Sequence, residues 1–196
     1  MKLALLFFAL LTPPRFASGA DISTFSFAGC SFPDTGQTAE YTAGDDGTYQ
    51  WSGSAPRYTI YNGSDWGGTA TSSVTVDNVT GLMWVSNMAD AGYAYTATSA
   101  LTQALSTCEG LNYAGYTDWR LPNVFELMSI ANYGTVPALS PVYFPNTPNT
   151  CCWTSTRNHL PATYLYNWKF NAYDGSVFGY ALINAKYSVR CVRGGW

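Results

Sequence analysis

The chain has 196 residues, of which 11% are charged and 16% are aromatic, and its formal net charge at pH 7 is −3. Because ordinary soluble domains carry about 25% charged residues, this composition favours an extracellular protein whose surface is polar but mostly uncharged. The acidic balance excludes a general basic field for nucleic acid or for anionic membranes. The length suits one domain with a sizeable core.

The N-terminus has the pattern of a secretory signal peptide. Lys2 precedes an apolar run over residues 3–11, which is too short to span a bilayer, and residues 18–20 are small enough for cleavage. We therefore predict a signal peptide over residues 1–20, an extended segment over 21–32 and a single domain over 33–196. Cleavage would leave 7 of the 9 basic residues and all 12 acidic residues, a net charge of −5. The predicted location is extracellular, with no membrane span after cleavage.

The first third of the predicted domain has turns and alternating segments. Residues 33–38 and 44–47 are rich in turn-forming residues, and residues 57–61 alternate weakly, as in a strand. After a loop rich in Gly, Ser and Thr, three valines flank Asp77-Asn78 and are followed by residues 80–84. This order predicts a strand, a turn and a second strand, which together form a hairpin.

Two helices are predicted in the middle of the chain. The first covers residues 97–111, with an apolar stripe at helical spacing formed by Ala97, Ala100, Leu101, Ala104, Leu105 and Cys108. The run Trp119-Arg120-Leu121-Pro122 then makes a sharp join, since proline fixes φ and suits the first turn of a helix. The second helix covers residues 123–131 and has one apolar face formed by Val124, Leu127, Met128 and Ala131.

The last third of the chain is predicted to be a loop followed by strands. Residues 138–150 are rich in Pro and Asn, as in a long loop. Strand patterns cover residues 152–155, 163–170 and 187–192, and Asp174-Gly175 supplies a turn between the last two. Helices in mid-chain with strands on either side indicate an α+β domain.

Seven short segments, in a fixed order along the chain, carry a family signal. They are residues 34–38 with 44–47, residues 76–78 with 80–84, Cys108 with Leu111, residues 115–127, residues 144–145, residues 153–156 and residues 190–193. The most specific is residues 115–127, which contain the Trp-Arg-Leu-Pro join. Together the segments resemble the Lcl C-terminal domain family, which is named after a collagen-like bacterial adhesin.

The resemblance implies a C-type-lectin-like fold, in which two helices pack on twisted antiparallel sheets with long loops. This fold is related to that of the formylglycine-generating enzyme. The family is associated with adhesion and oligomerisation at the bacterial cell surface. The resemblance also implies a disulfide between a helix cysteine and one in the final strand, here Cys108 and Cys191. We interpret five residues as fold-defining: Trp84, Trp119, Arg120, Pro122 and Trp153.

The other three cysteines are Cys30, Cys151 and Cys152, and exported cysteines are normally oxidised. We predict that Cys30 pairs with Cys151 or with Cys152, which pins the entry segment to the domain. The residues leave the choice between the two open, and the fifth cysteine has no assigned partner.

The sequence contains no recognisable catalytic motif and a single imidazole, that of His159. We therefore predict a protein that is not an enzyme. An oxidase activity like that of the formylglycine-generating enzyme, using Cys151-Cys152, is the less favoured alternative.

No cofactor is predicted, although calcium is an alternative because lectin-like folds hold it on loop Asp, Asn and backbone oxygens. The candidate ligands are Asp45, Asp46, Asp65 and Asn78, with Asp77 and Asp174 as the metal candidates we retain. The competing interpretation is that Asp and Asn lie at these positions because they favour turns for local reasons.

An aromatic strand supplies the candidate binding surface. Tyr164, Tyr166 and Trp168 alternate, so they would project from one face of a strand. The preceding loop adds Arg157, Asn158 and His159. Aromatic rings pack on the C–H faces of sugars, and polar side chains bond to hydroxyls at the rim. The competing interpretation is that these rings form part of the core.

The predicted function is adhesion or binding to glycans or another extracellular polymer, by a secreted or cell-surface domain. The alternative is a self-assembling extracellular structural subunit, that is, a homo-oligomer or polymer.

Overall fold

The computed structural model describes residues 33–43, 45–46, 57–62, 72–93, 99–148, 150–159 and 166–194. Within them, two antiparallel sheets and two short helices form the α+β arrangement that the sequence predicts. The predicted signal peptide, Cys30, Asp65 and Tyr164 lie outside the described residues, as does the side chain of Cys151. The predicted pairing of Cys30 therefore stays a prediction. In the described part of the chain, no helix is both long enough and apolar enough to cross a membrane.

The first sheet contains four strands in the order β1-β2-β3-β7. They are β1 (Tyr58–Asn62), β2 (Ser73–Asp77), β3 (Met83–Val85) and β7 (Val192–Arg193), and all neighbours are antiparallel. The predicted hairpin is confirmed as β2–β3. Asp77 closes its turn, because its Oδ1 accepts from the Val79 amide at 3.0 Å and its carbonyl accepts from the Gly81 amide at 2.8 Å. Gly81 has φ +71°, a conformation that glycine adopts readily.

The second sheet contains β4 (Cys151–Asn158), β5 (Tyr166–Asn171) and β6 (Val177–Leu182), in that order. The sequence predicts β4 and β5 but misses β6. The turn at Asp174-Gly175 is confirmed as a turn, and Asp174 Oδ1 accepts there from the Ser176 amide at 2.9 Å. It joins β5 to β6, however, and not to a strand over residues 187–192.

That predicted strand over residues 187–192 is wrong. Tyr187 makes an isolated bridge with Ser99, Ser188 makes another with Cys152, and the last strand begins at Val192. The sequence alternates between apolar and polar residues here, but residues 188–192 are all buried, and the bridges of the segment go to different elements rather than to one continuous neighbour.

Both helices are shorter than the sequence predicts. The first, α1, covers Leu101–Glu109, and the second, α2, covers Val124–Ser129. Asn123 is the N-cap of α2, so Pro122 lies before the cap and not in the first helical turn. Capping by asparagine satisfies amide groups that the first turn leaves without partners.

The core consists of two clusters of buried side chains. One surrounds α1 and contains Trp119 and Trp153, and the other surrounds α2 and contains Trp84 and Phe144. A disulfide joins Cys108 in α1 to Cys191, the pair that the family resemblance implies. The cysteines are 83 positions apart, and closing a loop of that length contributes about 4–5 kcal/mol in the chain-entropy model.

Candidate functional site

The second sheet presents a cluster of exposed apolar and aromatic side chains on its edge strand β6. Tyr180 is 72% exposed and Leu182 is 42% exposed, whereas Gly179 and Ala181 are buried. Strand β6 contains no charged residue and no proline. Charges and prolines are usual devices that keep a strand edge from pairing with other chains, so this strand presents an unusual surface.

A register shift in β6 brings neighbouring residues onto one face. Asn167 pairs with Ala181 and Lys169 pairs with Phe178, so Trp168 of β5 lies opposite both Gly179 and Tyr180 of β6. This is a β-bulge, in which two residues of one strand oppose one residue of the other. Because of the bulge, both Gly179 and Tyr180 lie next to Trp168.

The predicted aromatic residues join this face. The ring of Tyr166 packs edge-on against the ring of Tyr180, with their centroids 6.1 Å apart. Tyr166 and Trp168 are both half-buried, while Asn167 between them is buried and donates from Nδ2 to the Thr154 carbonyl at 2.9 Å. Neither ring belongs to the two clusters of buried core residues, and it is the polar residue between them that is buried.

Gly179 is the contact point of the cluster. Asn158 at the end of β4 donates from Nδ2 to the Gly179 carbonyl at 2.6 Å. A Cβ added to Gly179 would lie 2.5 Å from Asn158 Nδ2 and 3.3 Å from the ring of Trp168. The absence of a side chain at this position therefore allows the amide and the indole to approach the backbone of β6. We call this set the aromatic face: Asn158, Tyr166, Trp168, Gly179, Tyr180 and Leu182.

A family model matches residues 73–193, which is more than half of the chain. The chain belongs to the Lcl C-terminal domain family. The match begins with the first residue of β2 and ends with the last residue of β7. It therefore includes both helices, the disulfide and the whole aromatic face, but not β1 or residues 33–46, where the resemblance drawn from the sequence began. No curated protein is similar enough to the chain to count as a match.

Three of the six predicted site residues meet in this Lcl C-terminal domain, namely Asn158, Tyr166 and Trp168. Arg157 is exposed and pairs with Asn167 across the sheet, so it projects from the face opposite to Asn158. His159 is exposed beyond the end of β4. The sequence reasoning missed Tyr180 and Leu182, and the signal that would have found them is the uncharged run of β6 after the Asp174-Gly175 turn.

The retained metal candidates lie apart in the Lcl C-terminal domain, Asp77 at the end of β2 in the first sheet and Asp174 in the turn between β5 and β6. Asp77 is fully buried, with its Oδ2 3.5 Å from Nη2 of Arg57. Asp174 lies in the turn after β5, and hydrogen bonds from Ser176 lower the pKa of its carboxyl. Among the described residues, no three His, Cys, Asp or Glu side chains are grouped so that they could hold a metal ion. Calcium binding stays the untested alternative to the prediction of no cofactor, and both carboxylates already accept hydrogen bonds from backbone amides.

The residues interpreted as fold-defining are mostly buried. Trp84, Trp119 and Trp153 are at most 2% exposed. The indole of Trp119 donates to the Tyr113 carbonyl at 3.1 Å, and that of Trp153 donates to the Ser99 carbonyl at 2.6 Å. These rings hold separate loops onto the core, and they are not available to a ligand.

Another buried charge in the family-matched region is that of Arg190. Its guanidinium donates to the Val85 and Ser86 carbonyls and to the Thr147 hydroxyl, at 2.6–3.1 Å. It also lies 5.0 Å from the centroid of the Phe144 ring. Burial lowers the pKa of Arg190 to about 10, so the side chain remains charged at neutral pH. These contacts tie the segment before β7 to the end of β3 and to the loop before β4, which is a structural role.

Proposed function

We propose that this Lcl C-terminal domain is a secreted or cell-surface adhesion domain, without enzymatic activity, that binds a glycan or a similar extracellular polymer through the aromatic face. The observation that supports this most strongly is the grouping of Tyr166, Trp168 and Tyr180 on one sheet face beside the Asn158 amide. Aromatic rings offer flat apolar surfaces for the C–H faces of sugars, and an amide offers both a donor and an acceptor to hydroxyl groups.

The fold we propose is the C-type-lectin-like fold. Two antiparallel sheets, two short helices and a disulfide from a helix to the residue before the last strand support it. In such an arrangement the loops and edge strands are available for binding, because helices and disulfide already stabilise the rest.

Several observations favour binding over catalysis. His159 is exposed and lies beyond the strand end, and Cys152 is 2% exposed within the core. An oxidase that used Cys151-Cys152 would need its reactive sulfur at a substrate groove. The burial of Cys152 therefore counts against that alternative.

The edge of β6 supports self-assembly as a second candidate function. In the described part of the chain, β6 pairs with β5 on one side and has no strand on the other. An uncharged edge strand is a ready partner for a strand of another copy. Homo-oligomers would then form through this edge.

Binding to immobilised extracellular polysaccharides, measured with the mature protein and with Trp168→Ala and Tyr180→Ala, tests the adhesion proposal. Both variants are expected to lose binding while keeping the far-ultraviolet circular dichroism spectrum of the parent. Phe125→Ala is the matched control, because Phe125 is an aromatic residue that is 75% exposed on α2. Equal binding by all four proteins would refute the aromatic face as the site.

Light scattering at increasing protein concentration separates the two candidates. A mass that stays that of a monomer, together with polymer binding, supports adhesion alone. A mass that rises with concentration and falls back in a Tyr180→Lys variant supports assembly through β6, because a charge on the edge opposes strand pairing.

A further inference from the structure

A cleft lies between the N-terminal segment and the loop after α2, away from the sheet that carries the aromatic face. It has a volume of about 320 Å³, within the range of pockets that bind small molecules. Its walls combine two tyrosine rings with amides, hydroxyls and one ion-pairing Arg: Gln37, Arg57, Tyr58, Asn132, Ser140 and Tyr143. We call it the Arg57 cleft, and it shares no residue with the aromatic face.

The N-terminal wall of the cleft is built by close backbone contacts. The Tyr133 amide donates to the Thr35 carbonyl at 2.7 Å, and Arg57 Nη1 donates to the Asp34 carbonyl at 3.3 Å. A Cβ added to Gly134 would lie 2.3 Å from the Gly36 carbonyl oxygen. Glycine at 134 therefore allows the N-terminal segment to lie directly on the loop after α2. This wall precedes residue 73, so it lies outside the family match.

The opposite wall is a platform formed by Arg57 and by the rings of Tyr58 and Tyr143. The Arg57 guanidinium lies 4.8 Å from the centroid of the Tyr58 ring, and the Tyr58 and Tyr143 rings are 4.8 Å apart and tilted by 44°. The Tyr58 hydroxyl is 3.5 Å from the Ile130 carbonyl, at the outer limit of a hydrogen bond. Burial raises the pKa of Tyr58, so its hydroxyl stays protonated and remains a donor.

The polar groups of the cleft are only partly used by the protein. Arg57 Nε is buried and has no hydrogen-bond partner among the described residues. A buried donor without a partner is costly, but this atom is closed to solvent, so the polar groups that a ligand would meet are those on the cleft surface, among them the amides of Gln37 and Asn132 and the Ser140 hydroxyl. Arg57 is already paired with Asp77, whose Oδ2 lies 3.5 Å from Nη2, and Asp34 adds a second carboxylate to the lining, so the residues that line the cleft offer no unpaired positive charge to attract an anion.

We propose that the Arg57 cleft binds a single neutral sugar unit. An uncharged polyhydroxyl ring matches the three features together: a volume suited to one small ring, tyrosine faces for its C–H groups, and mixed donors and acceptors for its hydroxyls. A carboxylate or phosphate ligand would meet Asp34 next to Arg57, and a purely apolar ligand would leave the amides of Gln37 and Asn132 without water. The site is independent of the aromatic face and does not rest on the function proposed for it.

Isothermal titration of the mature protein with D-glucose, D-galactose, D-mannose and N-acetyl-D-glucosamine, each at millimolar concentration, tests this site. At least one sugar is expected to bind. Tyr143→Leu should weaken it about tenfold or more, which corresponds to about 1.4 kcal/mol, because it removes one face of the platform. Gln37→Ala should weaken sugar binding less than Tyr143→Leu does. This variant is less able to disturb folding, because Gln37 lies on the N-terminal wall of the cleft.

Trp168→Ala is the control that separates the two sites, since it alters the aromatic face alone. Sugar binding that persists in Trp168→Ala and weakens in Tyr143→Leu and Gln37→Ala supports the Arg57 cleft, even if the aromatic face binds no polymer. Binding that is lost in Trp168→Ala and retained in the two cleft variants overturns the assignment. The absence of binding by all four sugars to the parent protein also overturns it.

Discussion

Arg120 and Glu126 form a two-pronged ion pair, in which Nη1 donates to Oε2 at 2.8 Å and Nη2 donates to Oε1 at 2.6 Å. Glu126 Oε2 also accepts from the Asn123 amide at 2.8 Å, which completes the N-terminal cap of α2. The backbone of Arg120 exchanges hydrogen bonds of 2.9 and 3.0 Å with Val192. The Trp-Arg-Leu-Pro join therefore links the start of α2 to the last strand, beside the disulfide.

Replacing Glu126 with glutamine is expected to destabilise the protein by about 1–3 kcal/mol, because it removes a partner from a charge-assisted, partly buried pair. Urea unfolding followed by tryptophan fluorescence measures the change. Glu109→Gln is the matched control, since Glu109 is exposed and surface substitutions usually change stability by less than about 0.5 kcal/mol. Equal unfolding midpoints for the two variants would show that the pair contributes nothing.

Removal of the disulfide by the double substitution Cys108→Ala and Cys191→Ala is expected to cost about 2–5 kcal/mol. The bond cross-links residues 83 positions apart, so its loss frees a long loop in the unfolded state. The variant and the parent are compared by urea unfolding without reducing agent. Dithiothreitol should lower the stability of the parent and leave the variant nearly unchanged, unless another disulfide contributes as much.

Acid should weaken the contact between Asp118 and Arg193. Arg193 Nε donates to Asp118 Oδ1 at 2.7 Å, and this hydrogen bond lowers the pKa of Asp118. A carboxyl whose pKa is lower in the folded state stabilises the protein above its ordinary pKa near 3.8, and this stabilisation is lost as the pH falls through the folded-state value. The difference in thermal midpoint between the parent and Asp118→Asn should therefore be present at pH 6 and shrink as the pH falls below 3.8. The difference will be small, since exposed pairs are screened by water, and a difference that grows in acid would contradict the assignment.

Gly179→Ala should disturb the aromatic face through Asn158. The new methyl group would meet Asn158 Nδ2 at 2.5 Å, so the amide must move away from the β6 backbone. Polymer binding should fall by a similar factor in Gly179→Ala and in Asn158→Ala. The double variant should bind no more weakly than either single variant, because both changes remove the same contact. Additive losses would mean that Gly179 and Asn158 act separately.

Local periodicity predicted much of the fold. The three valines around Asp77 predicted the β2–β3 hairpin, and the stripe ending at Cys108 predicted α1, because side-chain spacing along a helix or strand depends on neighbours in the chain. Strand β6 was missed because Gly179 interrupts its pattern. The apolar–polar alternation of residues 187–192 predicts a strand, and it does not tell whether the segment pairs along its length with one neighbour or makes single bridges with several.

Part of the candidate site was also predicted from side-chain spacing along a strand. Tyr166 and Trp168 are two positions apart, so their common face follows from strand geometry alone. Tyr180 joins them through a bulge, and Asn158 joins them from the end of another strand.

The amino-acid sequence by itself determined the composition class, the family resemblance and most of the helices and strands of this protein. The tertiary structure alone decided that Asn158, Trp168 and Tyr180 meet at Gly179, and that residues 33–38 close a cleft against Arg57 and the loop after α2. Such contacts join segments that are ten or more positions apart in the chain. They depend on strand register and on where two backbones can approach closely, and neither property is written in the spacing of neighbouring residues.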